Sequence, residues 1–220
     1  MNYYVVVEGA RSERDVYSMW IPFLNPRLSR IDDIAQFTVD NFLIVSGNGF
    51  PFYHKVIQNA AEDVAANPQI GTLVVAVDSE DMTYQDKYKE IETILTPYSA
   101  QINYSIVVQH FCLETWALGN RLLLVSRNIQ DETLRKYKDF FDVSRNDPEM
   151  LPAYTQEMGR VEFAYRYLRR AIRNKYRTIV YSKSDPNIIS ESEYFHQILS
   201  RHRKTSHLPS FRNLVETFSP

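Results

Sequence analysis

The sequence predicts an α/β protein: a parallel sheet covered by helices, continued by a mostly helical, basic carboxy-terminal part. Three observations carry that expectation. Four Val- and Ile-rich runs are nearly continuous rather than alternating, as in strands covered on both faces. The stretches between them have helical spacing, and strand–helix–strand–helix order at this spacing gives βαβ crossovers and a parallel sheet. Past residue 110 this pattern stops, and the charge later reverses. Residues 1–157 hold 13 Lys and Arg against 22 Asp and Glu, a net −9, whereas residues 158–220 hold 12 against 5, a net +7.

The first strand is "YYVVVE" (3–8), followed by Gly9, a residue suited to a tight strand-to-helix turn. A helix over 15–24 follows, with Ser12 as its start. "NFLIVSG" (41–47) is the second strand, and "VSGNGFP" (45–51) leads into a helix over 53–66 that starts at Pro51 and stops at "ANPQIG". "TLVVAVD" (72–78) is the third strand, and Thr83 starts a helix over 84–96 that ends at "TPYS". "NYSIVVQ" (103–109) is the fourth. "LETWALGNRLLLVS" (113–126) reads as a helix, and "EFAYRYLRRAIRNKYR" (162–177) as a basic amphipathic one. "TIVYSK" (178–183) is a candidate short fifth strand, and 191–204 and 210–218 read as closing helices. Residues 1–110 thus form the α/β core, and 111–220 a helical, basic portion packed on it.

The composition is that of an ordinary globular chain, 44% hydrophobic and 24% charged. Its single cysteine, Cys112, argues for a reducing compartment and against a disulfide scaffold. No run reaches the roughly 18 apolar residues of a membrane span, and the amino terminus enters a strand without a signal-peptide pattern. The expectation is a cytoplasmic protein that does not enter membranes.

Chemistry in open α/β sheets gathers at the carboxyl ends of the strands. Glu8 ends the first strand and Asp78 the third, with Glu80 and Asp81 just beyond. If both strands project to one sheet edge, the carboxylates converge and raise one another's pKa. A divalent cation resolves that repulsion, and hard oxygen donors suit Mg²⁺ or Mn²⁺. Taken singly, Glu8 also reads as an acid favouring the next helix's dipole, and Asp78 as an N-cap or turn acid. "VSGNGFP" can be a phosphate cradle or a tight turn; it lacks the lysine and hydroxyl of a P-loop, so ATP hydrolysis by this chain is not expected.

These residues resemble the Toprim fold of topoisomerases, bacterial primases and OLD-type nucleases, whose signature is Glu-Gly after the first strand and Asp-x-Asp after a later one. Here the corresponding stretches are "VEG" and "VDSED", so Glu80 replaces the second aspartate and Asp81 stands next to it. Within that group the chain is similar to the RloB-like proteins of bacterial anti-phage loci, which carry E-G-x-x-T-E-x-x-Y and C-F-E-x-W-L-L. "EGARSERDVY" supplies Glu8, Gly9, Ser12 and Glu13, with Tyr17 one place late, and "CLETWALGN" supplies Cys112, Glu114 and Trp116. The resemblance spans residues 5–120. It implies a metal-dependent endonuclease acting on DNA or RNA, transfer RNA included, and controlled by an ATPase partner. It implies catalytic roles for Glu8, Asp78 and Glu80, and a metal held by these with Asp81 and Glu114. Glu114 also reads as a dipole-favoured acid of its own helix, and Glu13 as a capping-box partner. The departure from Asp-x-Asp supports an alternative, a non-catalytic binding or trigger subunit with the same fold.

Arg166, Arg169, Arg170, Arg173, Lys175 and Arg177 are interleaved with Tyr165, Tyr167 and Tyr176, and Arg201, Arg203 and Lys204 follow downstream. Guanidinium forks suit phosphates and tyrosine faces suit unpaired bases, so these are the candidate nucleic-acid contacts. A face docking onto the acidic half or onto a partner protein is the other reading.

Overall fold

The computed structural model describes residues 1–125 and 129–220. Five parallel strands form one sheet in the order β2-β3-β1-β4-β5, with β1 Tyr3–Val7, β2 Ser29–Ile31, β3 Asn41–Ser46, β4 Thr72–Asp78 and β5 Tyr104–Gln109. The four Val-rich runs are β1, β3, β4 and β5. The fifth strand is β2, an exposed three-residue edge, and not "TIVYSK", where only an isolated bridge between Ser182 and Asp185 forms. Register places Val5 between Ile44 and Val74, and Asp78 opposite Gln109.

Alternate residues of each strand enter different cores. Tyr4, Val6, Leu73, Val75 and Val77 face α2 (Phe52–Ala66) and α3 (Tyr84–Leu95), where Ile57, Ala61, Ile91 and Leu95 are wholly buried. Tyr3, Val5, Val7, Val74 and Ala76 face α1 (Ser12–Leu24) and the carboxy-terminal helices. Those helices are α4 (Leu113–Ala117), α5 (Glu132–Phe140), α6 (Arg160–Tyr176), α7 (Asn187–Ser190), α8 (Ser192–Lys204) and α9 (Phe211–Phe218). One buried cluster runs from Tyr3 to Phe218, so residues 111–220 share the core of the sheet. Tyr3 meets the last helix directly: its ring lies 5.0 Å from that of Phe218, and its hydroxyl donates to the Thr217 carbonyl at 3.2 Å.

The helix expected over 113–126 breaks after Leu118. Gly119 is packed so closely that a Cβ would stand 2.7 Å from the Trp116 carbonyl oxygen. Asn120 then caps a 3₁₀ turn, accepting from the Leu122 amide at 3.0 Å; Ser126, the end of that expected helix, lies outside the described residues. Among the described residues no helix is long and apolar enough to cross a membrane.

Strand order fixes where chemistry can sit. The chain leaves β1 toward the β2–β3 side and leaves β4 toward β5, and β1 and β4 are neighbours. The crevice between their carboxyl ends is therefore the topological switch point, the usual ligand position in open α/β sheets.

Candidate functional site

Glu8 and Asp78 end the two strands that flank this crevice, and they touch: the Asp78 amide donates to Glu8 Oε2 at 3.0 Å. Glu8 is itself placed by its own amide, which donates to the Ala76 carbonyl at 3.0 Å. Asp78 is 8% exposed, and Gln109, its register partner on β5, donates from Nε2 to its Oδ1 at 2.8 Å. Burial pushes the Asp78 carboxyl well above the ordinary aspartate value, and the fields of Glu13, Glu8 and Glu114 push the same way against Lys183. Burial likewise raises Glu8; its bond from the Asp78 amide and the charge of Lys87 oppose this, while Glu80 and Glu13 add to it.

Two further carboxylates belong to this cluster. Glu114, 2% exposed at the start of α4, accepts from the Tyr181 hydroxyl at 3.0 Å. Glu13, 6% exposed, accepts from Ser12 Oγ at 2.9 Å. The capping role expected for Glu13 does not form, since α1 begins without a side-chain cap. Glu13 instead folds back against Gly9, where a Cβ would lie 1.9 Å from Oε2. Gly9 is thus required by the close approach of a carboxylate, and not by a left-handed backbone.

Glu80 is exposed on the turn after β4 and takes a left-handed conformation, φ 49°, that costs a non-glycine residue on the order of 1 kcal/mol. Its charge is felt by Glu8 and by Tyr53. Asp81, next in the turn, is exposed and makes no hydrogen bond or ion pair among the described residues. The "VSGNGFP" loop closes the crevice as a tight turn: the amides of Gly47 and Gly49 donate to the Val7 and Glu8 carbonyls at 2.7 and 2.9 Å. They are thereby taken up in holding the turn.

Two cations stand beside the acids. Lys87 is buried, its ammonium bonded to the Tyr53 hydroxyl at 3.0 Å and paired with Glu90 at 3.1 Å. Lys183 is exposed as a residue; desolvation would lower its pKa, but Glu114 and then Asp78 and Glu13 hold it above the ordinary lysine value.

Among the described residues no three His, Cys, Asp or Glu side chains already stand close enough to hold a metal ion. The donor chemistry nonetheless fits a hard divalent cation. Every acid is an oxygen donor, and burial and mutual repulsion disfavour charge on Glu8 and Asp78. Two buried polar atoms at this place, Tyr17 Oη and Gln109 Oε1, lack any hydrogen-bond partner. Cys112 is fully buried and its thiol is pushed well up by burial, which removes it as a nucleophile.

The basic residues divide. Arg166, Arg169, Arg170 and Arg173 line a cleft of about 410 Å³ on α6 with Tyr165, Glu162 and Asp131. Arg166 pairs with Glu162 and Arg170 with Asp131 at 2.8 Å, whereas Arg169 and Arg173 have no acidic partner among the described residues. Tyr165 lies 6.1 Å from the ring of Tyr181, whose hydroxyl holds Glu114, so the cleft adjoins the carboxylates. Lys175 and Arg177 are exposed at the end of α6, and Arg203 and Lys204 at the end of α8. Arg201 is a correction. It is 3% exposed, and its guanidinium donates to the carbonyls of Gly119, Val143 and Asn146 at 3.3, 2.7 and 2.6 Å, so no nucleic acid can reach it.

The sequence reading missed Glu13, Tyr17, Gln109, Tyr181 and Lys183 as members of this site. For Glu13 and Tyr17 a signal existed, because both lie in the motif that begins at Glu8. Compared with family models, curated proteins and solved structures, the chain matches none.

Proposed function

We propose that the chain is a metal-dependent nuclease of the Toprim type, cleaving phosphodiester bonds of DNA or RNA, transfer RNA included. One observation carries this reading. Glu8, Glu13, Asp78 and Glu114, from two strand ends and two helix starts, act on one another electrostatically at the switch point of a parallel sheet. Glu8, Asp78 and Glu80 would hold Mg²⁺ or Mn²⁺, with Glu13 and Glu114 beside them. When bound, such an ion neutralises phosphate oxygens and lowers the pKa of a coordinated water. Glu8 is half-buried, and burial raises its pKa above the ordinary glutamate value, so it holds a proton more readily than a free glutamate does. Lys183 can donate hydrogen bonds to a phosphate oxygen, and Arg169 and Arg173 can hold the backbone alongside.

The similarity to RloB-like proteins adds an anti-phage role in the cytoplasm and restraint by an ATPase partner. The test is incubation of wild type and Asp78→Ala with plasmid DNA and with total transfer RNA, in Mg²⁺, Mn²⁺ or EDTA. Cleavage by wild type alone, abolished by EDTA, supports the reading and names the substrate. If no cleavage occurs even with the neighbouring ATPase, and Mn²⁺ does not bind wild type, the non-catalytic trigger subunit takes its place.

A further inference from the structure

A second hollow opens beside the Ser79–Met82 turn, lined by residues that the carboxylate site does not use. Its volume of about 570 Å³ falls among small-molecule sites, roughly 300–1,000 Å³. Three helices begin on its wall: α3 at Tyr84, α6 at Arg160 and α9 at Phe211. Helix amino termini favour anions, but the charge here rests on side chains. The Arg160 guanidinium is fixed 4.0 Å from the centre of the Phe111 ring, and neither it nor Arg212 pairs with an acid among the described residues.

The neighbouring titratable groups leave that positive charge standing. Glu149 accepts from the Ser210 hydroxyl at 2.6 Å and from its amide at 3.2 Å, and burial pushes its carboxyl up to about 8. It is therefore protonated at neutral pH. His110, with Nδ1 2.7 Å from Ser79 Oγ, is pushed down to about 4 by burial and by Arg160, and is neutral. Asp147 is then the one acid facing two guanidiniums, and its Oδ1 already accepts from the Glu149 and Leu208 amides at 3.1 Å.

The apolar part of the wall comes from Met82, Tyr84, Met150 and Pro209, beside the polar Thr83, Gln85 and Asn213. The Tyr84 ring is held by Asn213, which donates to its hydroxyl at 2.9 Å, and Met82 and Met150 are exposed beside it. Thioethers adapt to flat apolar partners, and tyrosine stacks on heterocycles. We infer that this hollow binds a phosphorylated nucleoside, with Arg160 and Arg212 on the phosphate and Tyr84, Met82 and Met150 against the base. The ligand is a free mononucleotide or the phosphorylated end of a strand; the shared chemistry is the same. Nothing in this binding requires a divalent cation, so it stands apart from the nuclease reading.

The test is calorimetric titration of the full chain in EDTA with AMP, UMP, adenosine, ribose 5-phosphate and inorganic phosphate. A mononucleotide should bind, with adenosine and ribose 5-phosphate each about tenfold weaker or worse, because each lacks one half of the contact. Arg160→Gln and Arg212→Gln should each lose about tenfold with an unchanged melting temperature; Arg212 is exposed, so its variant folds. Asp78→Asn should bind as wild type does. A 5′-phosphorylated trinucleotide binding about tenfold tighter than AMP assigns the strand end as ligand, and equal binding assigns the free nucleotide. The inference is overturned if no compound binds, if inorganic phosphate or ribose 5-phosphate matches AMP, or if both arginine variants bind normally. Loss of binding in Asp78→Asn alone would put the nucleotide at the carboxylates and overturn it too.

Discussion

Replacing Glu149 by Gln should change how stability depends on pH more than it changes stability itself. The amide keeps the shape of the protonated carboxyl and can still accept from the Ser210 hydroxyl and amide. A carboxyl whose folded pKa is raised binds its proton more tightly when folded. Its stabilising contribution is complete below the ordinary value of 4.5 and is lost as the pH rises through about 8. At about 1.4 kcal/mol per pH unit the full span is about 5 kcal/mol, of which about 4 kcal/mol falls between about pH 5 and about pH 9. Glutamine does not titrate, so the variant should gain about 4 kcal/mol relative to wild type over that interval. For a chain of this length that is on the order of 10 °C in melting temperature. Denaturant unfolding followed by fluorescence of the buried Trp20 and Trp116 measures it at each pH. Comparing the two proteins cancels the titration of Glu8, Asp78 and every other shared group. Parallel stability–pH curves would refute the reasoning, because Glu149 would then ionise alike in both states.

The same ionisation should act on the hollow beside it. Among Arg160, Arg212, His110 and Asp147, nucleotide affinity in wild type should fall above about pH 8 and stay level in Glu149→Gln, which the calorimeter reads directly. Asp78→Asn should raise thermal stability in EDTA by on the order of 1–3 kcal/mol, by removing a carboxyl whose ionisation burial opposes, and should abolish any Mn²⁺-induced rise in melting temperature. Gly9→Ala should cost about 1–3 kcal/mol and weaken Mn²⁺ binding, since the new methyl displaces Glu13; normal Mn²⁺ titration would show that Glu13 stands outside the metal site. Arg201→Met should destabilise the fold by about 3 kcal/mol or more, through the carbonyls it leaves unpaired, as read by denaturant titration. Arg169→Gln and Arg173→Gln should leave stability alone and lower the salt slope of nucleic-acid binding by about 1 each, measured by filter binding across salt concentrations.

What was legible in the sequence follows from how local each signal is. Strands buried on both faces must be apolar without interruption, so β1, β3, β4 and β5 announce themselves. An acid that closes such a strand is conspicuous, which is why Glu8 and Asp78 stand out before any coordinates. Edge strand β2 is three residues long and exposed, so nothing in "SRI" distinguishes it from loop. "TIVYSK" has strand composition, but Tyr181 is buried by its hydroxyl's bond to Glu114, 67 residues away, and not by a ladder. Arg201 sits in a basic run whose neighbours are exposed, and only tertiary packing reveals that it threads inward to main-chain carbonyls. Tyr181 and Lys183 reach the acids from the far end of the chain, a proximity that no spacing rule encodes.

The bond between Tyr3 and the Thr217 carbonyl spans 214 residues, and it sets a schedule for synthesis. At the ribosome's usual pace of about 5–20 residues per second, β1 waits about 10–40 s for α9 to emerge. Through that interval the α2–α3 side of the sheet can close while the opposite side has only α1 to cover it. Tyr3, Val5 and Val7 are then a patch for a holding chaperone to cover, and for aggregation to exploit when none is at hand.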